Sequence, residues 1–93
     1  MMNDLLNDAK LLFGQNELLD SLEKVNLIVL NDKVNIEALM LRGRIQYKLQ
    51  LWGDAMNDYY SVLELDPENL EAKSGIEMAK SILGYFTPDM FNP

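Results

Sequence analysis

Histidine and cysteine are both missing from the 93 residues of this chain. Without cysteine there is no disulfide and no thiolate metal site. Without histidine the commonest general base and the commonest metal ligand are gone. Positive charge is scarce as well: 8 Lys and Arg stand against 15 Asp and Glu, a net charge of -7. A surface of that balance repels phosphate backbones and anionic lipid, so neither nucleic acid nor a membrane is an expected partner. No apolar run approaches the ~18 residues that a membrane span needs. The opening Met1-Met2-Asn3-Asp4-Leu5-Leu6-Asn7-Asp8 carries acids where a secretory leader would carry positive charge, so a cytoplasmic protein is expected. Gly-rich phosphate loops, a Gly-x-Ser-x-Gly elbow and the Asp-x-Asp-x-Asp-Gly spacing of a calcium loop are absent too. The expectation is therefore no catalytic residue, no cofactor and no metal.

What is present is periodicity. Hydrophobic residues make up 48% and charged residues 25%, enough apolar content for one modest core in a chain of this length. A shift of 34 positions aligns Leu5 with Leu39, Asp20 with Asp54 and Asp32 with Asp66. It also aligns Asn35-Ile36-Glu37-Ala38 with Asn69-Leu70-Glu71-Ala72, and it pairs Ala9 with Gly43, Leu11 with Ile45, Phe13 with Tyr47, Ile28 with Val62 and Leu49 with Leu83. Self-similarity at a fixed spacing of this size marks a stacked-repeat architecture.

Within each unit the apolar spacing is helical. Leu5, Ala9, Leu12 and Phe13 form one stripe, and Leu18, Leu22, Val25, Ile28 and Val29 form the next. Leu39, Gly43 and Tyr47, then Ala55, Tyr59, Val62 and Leu63, repeat the design. Gly14 ends the first helix, Asn16 is a candidate cap for the second, and Asn35 and Asn69 are candidate caps for the third and fifth. Pro67 stops the fourth. The reading is five helices over about 3–14, 17–31, 36–49, 53–65 and 70–83, followed by a short C-terminal tail.

These residues resemble the tetratricopeptide repeat (TPR) family over about residues 2–83. The second unit carries the resemblance most fully, in Ala38-Leu39, Leu41-Arg42-Gly43, Tyr47-Lys48-Leu49, Asp54-Ala55, Tyr59 and Leu63-Glu64-Leu65-Asp66-Pro67. Gly43 and Ala55 are small where two helices cross closely, and Tyr59 fills the space between hairpins. The first unit departs from the pattern at Lys33, which stands where proline is expected. The third unit has only its first helix, where Lys73, Gly75 and Glu77 are atypical, as suits a terminal cap facing water. The resemblance implies an all-α, antiparallel helix-hairpin solenoid, a right-handed superhelical array of about two and a half repeats in one domain. Its parts are repeat one at about 2–35, repeat two at about 36–69, a capping helix at about 70–83 and an apolar tail at 84–93.

The resemblance also implies a function: a non-catalytic protein-interaction module whose first helices line a concave groove for a partner protein or peptide. Carried over, the groove positions are Asn3, Leu6, Asn7 and Lys10, then Glu37, Met40, Leu41, Arg44, Tyr47 and Lys48, then Glu71, Ser74, Met78 and Ile82. Lys10, Arg44 and Lys48 are three of the eight basic residues. They read either as a solvated helix face or, with exposed Met40, Leu41 and Tyr47 and with Met78, as a groove for acidic-plus-apolar segments. The family's clamp for the C-terminal carboxylate of heat-shock chaperones needs Asn and basic residues where this chain has Leu6, Leu41, Glu71 and Gly75. Only Lys10 fits, so that clamp is not expected.

Trp52 reads as packing between hairpins, with an exposed binding anchor as the alternative. The tail holds Tyr85, Phe86, Met90 and Phe91, four large apolar residues in its ten. It either folds back over the capping helix, docks on a neighbouring copy to make a homodimer, or stays loose. Self-assembly through that tail is the alternative to peptide binding.

Overall fold

The computed structural model describes residues 2–86, with side chains from 3 to 84. Five helices follow one another: α1 (Met2–Gly14), α2 (Leu18–Asn31), α3 (Ile36–Lys48), α4 (Trp52–Leu65) and α5 (Leu70–Phe86). No strand occurs among the described residues. Each helix packs against the next, and α1 also lies against α3. The chain is thus two antiparallel hairpins, α1–α2 and α3–α4, with α5 closing the second.

The turns repeat as faithfully as the helices. Asn35 and Asn69 cap α3 and α5 as expected, their side-chain oxygens accepting from the backbone N–H of Ala38 (3.0 Å) and Ala72 (2.9 Å). Asn16 does not cap α2. It holds a left-handed backbone (φ 62°), as does Gln50 (φ 63°), its counterpart one repeat later. In both turns a Schellman motif closes the helix: Glu17 N–H donates to Leu12 carbonyl and Leu51 N–H to Gln46 carbonyl, each at 2.8 Å. Asparagine tolerates that conformation better than most residues, and this is its use here. Helix α5 also runs further than its apolar stripe indicates, to Phe86.

The core is a continuous row of small and branched residues along the hairpin crossings. Ala9, Val25, Ile28, Ala38, Ile45, Ala55, Val62, Ala72 and Ala79 are fully enclosed. At the α1–α2 crossing, buried Ser21 donates its hydroxyl to the Ala9 carbonyl at 2.7 Å, which satisfies the one polar group placed there. At the corresponding place in the second hairpin, Tyr59 of α4 lies against Gly43 of α3 and reaches Gly75 of α5. A charged cluster locks the same hairpin from the side. Arg42 donates to both Asp58 oxygens at 2.7 Å and to Asn26 of α2 at 3.2 Å. The Gln46 amide nitrogen, oriented to satisfy both its ends, adds a bond to Asp58 Oδ2 at 2.8 Å.

Candidate functional site

The odd-numbered helices present one face, and its charges are arranged with the same 34-residue period as the fold. Lys10 on α1 bonds Glu37 on α3 at 3.0 Å. One repeat on, Arg44 on α3 makes a two-pronged bond to Glu71 on α5 at 2.5 and 2.7 Å. Each pair joins neighbouring repeats. The fork raises the Arg44 pKa and holds the Glu71 carboxyl below its ordinary value, in both cases mainly through these hydrogen bonds. Two of the three cations read from the sequence as groove charges are therefore already matched by carboxylates.

Lys48 is different. Its ammonium lies 4.8 Å from the centroid of the Phe13 ring, a cation–π contact between α3 and α1. It makes no ion pair among the described residues. Beside it opens a largely apolar cavity of about 310 Å³, whose walls include Phe13, Tyr47, Lys48, Tyr59 and Met78, with the Arg44–Glu71 pair at one side. Tyr47 is braced by Trp52, ring centroids 4.8 Å apart and edge to face. Trp52 thus packs within its own hairpin and is half-buried. The Tyr59 hydroxyl is pushed up to about 12, first by burial and then by the nearby Glu71 charge, so it stays protonated at neutral pH.

The structure brings Arg44, Tyr47, Lys48 and Met78 together at this cavity, and places Lys10 on the same face one repeat away in its own ion pair. The expectation for Met40 and Leu41 changes. Met40 (5% exposed) and Leu41 (2%) are core residues and offer no surface, because α3 is the central helix and is covered by α1, α2 and α4. The side chains of Tyr85 and Phe86, and all of Met90 and Phe91, lie outside the described residues. The chain-wise reading also missed Phe13 as a site residue, although it is the one-repeat counterpart of Tyr47. Among the described residues no cluster of carboxylates could hold a metal ion, and no helix is long and apolar enough to cross a membrane.

No protein-family model matches the chain. Over 75 residues, 81% of its length, it is 35% identical to the DnaJ protein P58IPK homolog of Arabidopsis thaliana and 33% identical to the DnaJ protein P58IPK homolog B of Oryza sativa subsp. japonica. The chain spans 16% of the length of each of these relatives. Among solved structures it is similar to the first TPR of Spaghetti (RPAP3) bound to the HSP90 peptide SRMEEVD. That match has 27% identity and a TM-score of 0.86 over 90% of this chain and 67% of the other. The first TPR domain of human RPAP3 gives 28% identity and a TM-score of 0.81, over 87% of this chain and 64% of that domain.

Proposed function

We propose, from the premise that this chain belongs to the tetratricopeptide repeat family, that it is a non-catalytic module holding a partner segment against its odd-helix face. The observation that carries this reading is the cavity beside Phe13, Tyr47 and Met78, apolar within and edged by a lysine that has no carboxylate partner among the described residues. An apolar hole next to one available cation fits a segment that inserts an aliphatic or aromatic side chain and sets a carboxylate on Lys48. The peptide carried by the Spaghetti (RPAP3) domain, SRMEEVD, has that composition, with Met beside two Glu and Val beside Asp. The chain's own net charge of -7 argues against nucleic acid or a lipid surface as the ligand.

Residues Leu6, Leu41, Glu71 and Gly75 stand where a terminal-carboxylate clamp would need asparagine and cations, and Leu41 and Gly75 are committed to packing. Recognition accordingly rests on the internal acidic-plus-apolar chemistry of the segment and not on its end. The test is a titration of SRMEEVD as free acid and as C-terminal amide, read by the fluorescence of Trp52, the single tryptophan, which rests on a cavity-lining ring. The expected result is saturable binding by both forms, weakened by added salt and by Lys48→Glu or Phe13→Ala. No saturable signal from either form overturns this ligand class. Binding of the free acid alone overturns the internal-segment reading.

A further inference from the structure

A second cleft, of about 540 Å³, opens between the even-numbered helices. Leu39 and Arg42 of α3 line it, with Leu27 and Leu30 of α2, Lys33 of the following turn and Ser61 of α4. The internal repeat supplies a control for these positions. Repeat two has Ser61, Glu64, Pro67 and Glu68 where repeat one has Leu27, Leu30, Lys33 and Val34. The same fold is therefore built with polar and acidic residues at those places, so packing does not require the leucines. Of the residues lining the cleft, Leu27 (44% exposed) and Leu30 (72%) nonetheless stand in solvent, and Val34 (63%), just outside the lining, follows Lys33. Exposed apolar residues gathered at one cleft, and absent from the equivalent positions, mark a contact surface.

The charge follows the same contrast. The cleft lining contains two cations and no carboxylate, in a chain with nearly twice as many acids as bases. Arg42 is committed to Asp58. Lys33 makes no ion pair among the described residues. We propose that this cleft docks an amphipathic segment of another protein, with leucine-like side chains set against Leu27, Leu30 and Leu39 and a carboxylate on Lys33. The site shares no lining residue with the Lys48 cavity, although α3 and α4 contribute to both, and it stands or falls independently of that reading.

The probe is a synthetic amphipathic peptide of about 14 residues with Leu at helical spacing and Glu flanking it, beside a twin in which Lys replaces every Glu. Binding to the full chain is followed by amide chemical shifts and by mass in solution. The expected result is shifts centred on residues 27–34 and Leu39, with affinity at least about tenfold lower after Lys33→Glu, a change of about 1.4 kcal/mol. A similar loss is expected from Leu27→Ser/Leu30→Glu, which installs the residues of repeat two and so should leave helicity unchanged. If that double variant does not fold, Lys33→Glu alone decides. Three outcomes overturn the proposal: equal binding of the Lys twin, shifts confined to Phe13 and Tyr47, or a mass that doubles with concentration and reverts in the double variant, which would make a second copy the occupant.

Discussion

The ring of Tyr59 occupies the space that a side chain at Gly75 would need: a Cβ built there would overlap the ring edge at Cε2. The opposite edge stands in the same relation to Gly43, where a Cβ would come within 2.6 Å of Cε1. One aromatic ring is thus held between two glycines of successive odd-numbered helices, and it fixes the distance between repeat two and the capping helix.

This slot reverses the usual effect of glycine replacement. In a helix interior Gly→Ala ordinarily stabilises by about 0.5–1 kcal/mol. At Gly75 the ring must move, and overpacking of this kind costs about 1–3 kcal/mol. Gly75→Ala and Gly43→Ala should each lower the melting temperature, by about 4–8 °C for each kcal/mol lost. Gly53→Ala, where nothing lies within 4 Å of the added carbon, should not. Thermal unfolding by circular dichroism checks all three, and a rise at Gly75 would show that the slot is slack.

The Arg44–Glu71 fork makes a prediction about pH. The pKa of Glu71 is depressed in the folded chain, chiefly by its hydrogen bonds to Arg44. The pair's contribution is therefore present above the ordinary glutamate value of about 4.3 and is lost as pH falls through the lower folded value. Both side chains are about half exposed (42% and 50%), so solvent screening limits the contribution to about 0.2–1 kcal/mol. A carboxyl titration by NMR should find Glu71 below the ordinary glutamate value of about 4.3, and Arg44→Gln should bring it back up. Glu71→Gln should barely change stability while strengthening binding of acidic peptides, because it releases a second cation beside the cavity.

The repeat, its period and its five helices were legible because a 34-residue echo imposes the same packing demand twice. Asn35 and Asn69 were legible for the same reason. Asn16 was not, because asparagine serves both as a cap and in left-handed turns, and only its equivalence to Gln50 separates the two uses. Gly75 looked like a loss of pattern in a terminal helix, yet it is the second wall of the Tyr59 slot. Met40 and Leu41 lie on groove positions by register but are enclosed, since the central helix of a five-helix array has neighbours that a terminal one lacks. The matching of Lys10 and Arg44 by Glu37 and Glu71 was present in the sequence as two separations of 27 residues. Counting cations along one helix at a time hides a pairing that crosses between repeats.

Asp58 is the most buried carboxylate described, its side chain 6% exposed, and it depends on Arg42 for compensation. Removing the cation alone leaves a desolvated charge, and breaking a buried pair costs about 3–5 kcal/mol. Because Arg42 is itself 22% exposed, Arg42→Leu should fall toward the lower end of that range. Arg42→Leu/Asp58→Leu removes both charges and should recover much of the loss. Urea unfolding of the two variants and the wild type distinguishes a stranded charge from lost packing, since lost packing would make the double variant the worse of the two.

Tyr59 ties the stability of the fold to alkaline pH. Its hydroxyl is raised to about 12 in the folded chain, against about 10 for an exposed tyrosine. A group whose folded value is raised stabilises fully below the unfolded value and loses that contribution as pH climbs to the folded one. Between about pH 10 and 12 the unfolded chain gives up this proton while the folded chain still holds it, so stability drains away across that window. The full difference is on the order of 3 kcal/mol, since each pKa unit is worth about 1.4 kcal/mol. Tyr59→Phe keeps the ring between Gly43 and Gly75 and removes the ionisable group. It should retain most of its neutral-pH stability and lose less than wild type on going from pH 9 to 12. Unfolding curves at matched pH give the difference directly. Parallel losses in the two proteins would mean that Glu71 and burial do not hold the hydroxyl in its neutral form, and that the slot opens to water before the proton leaves.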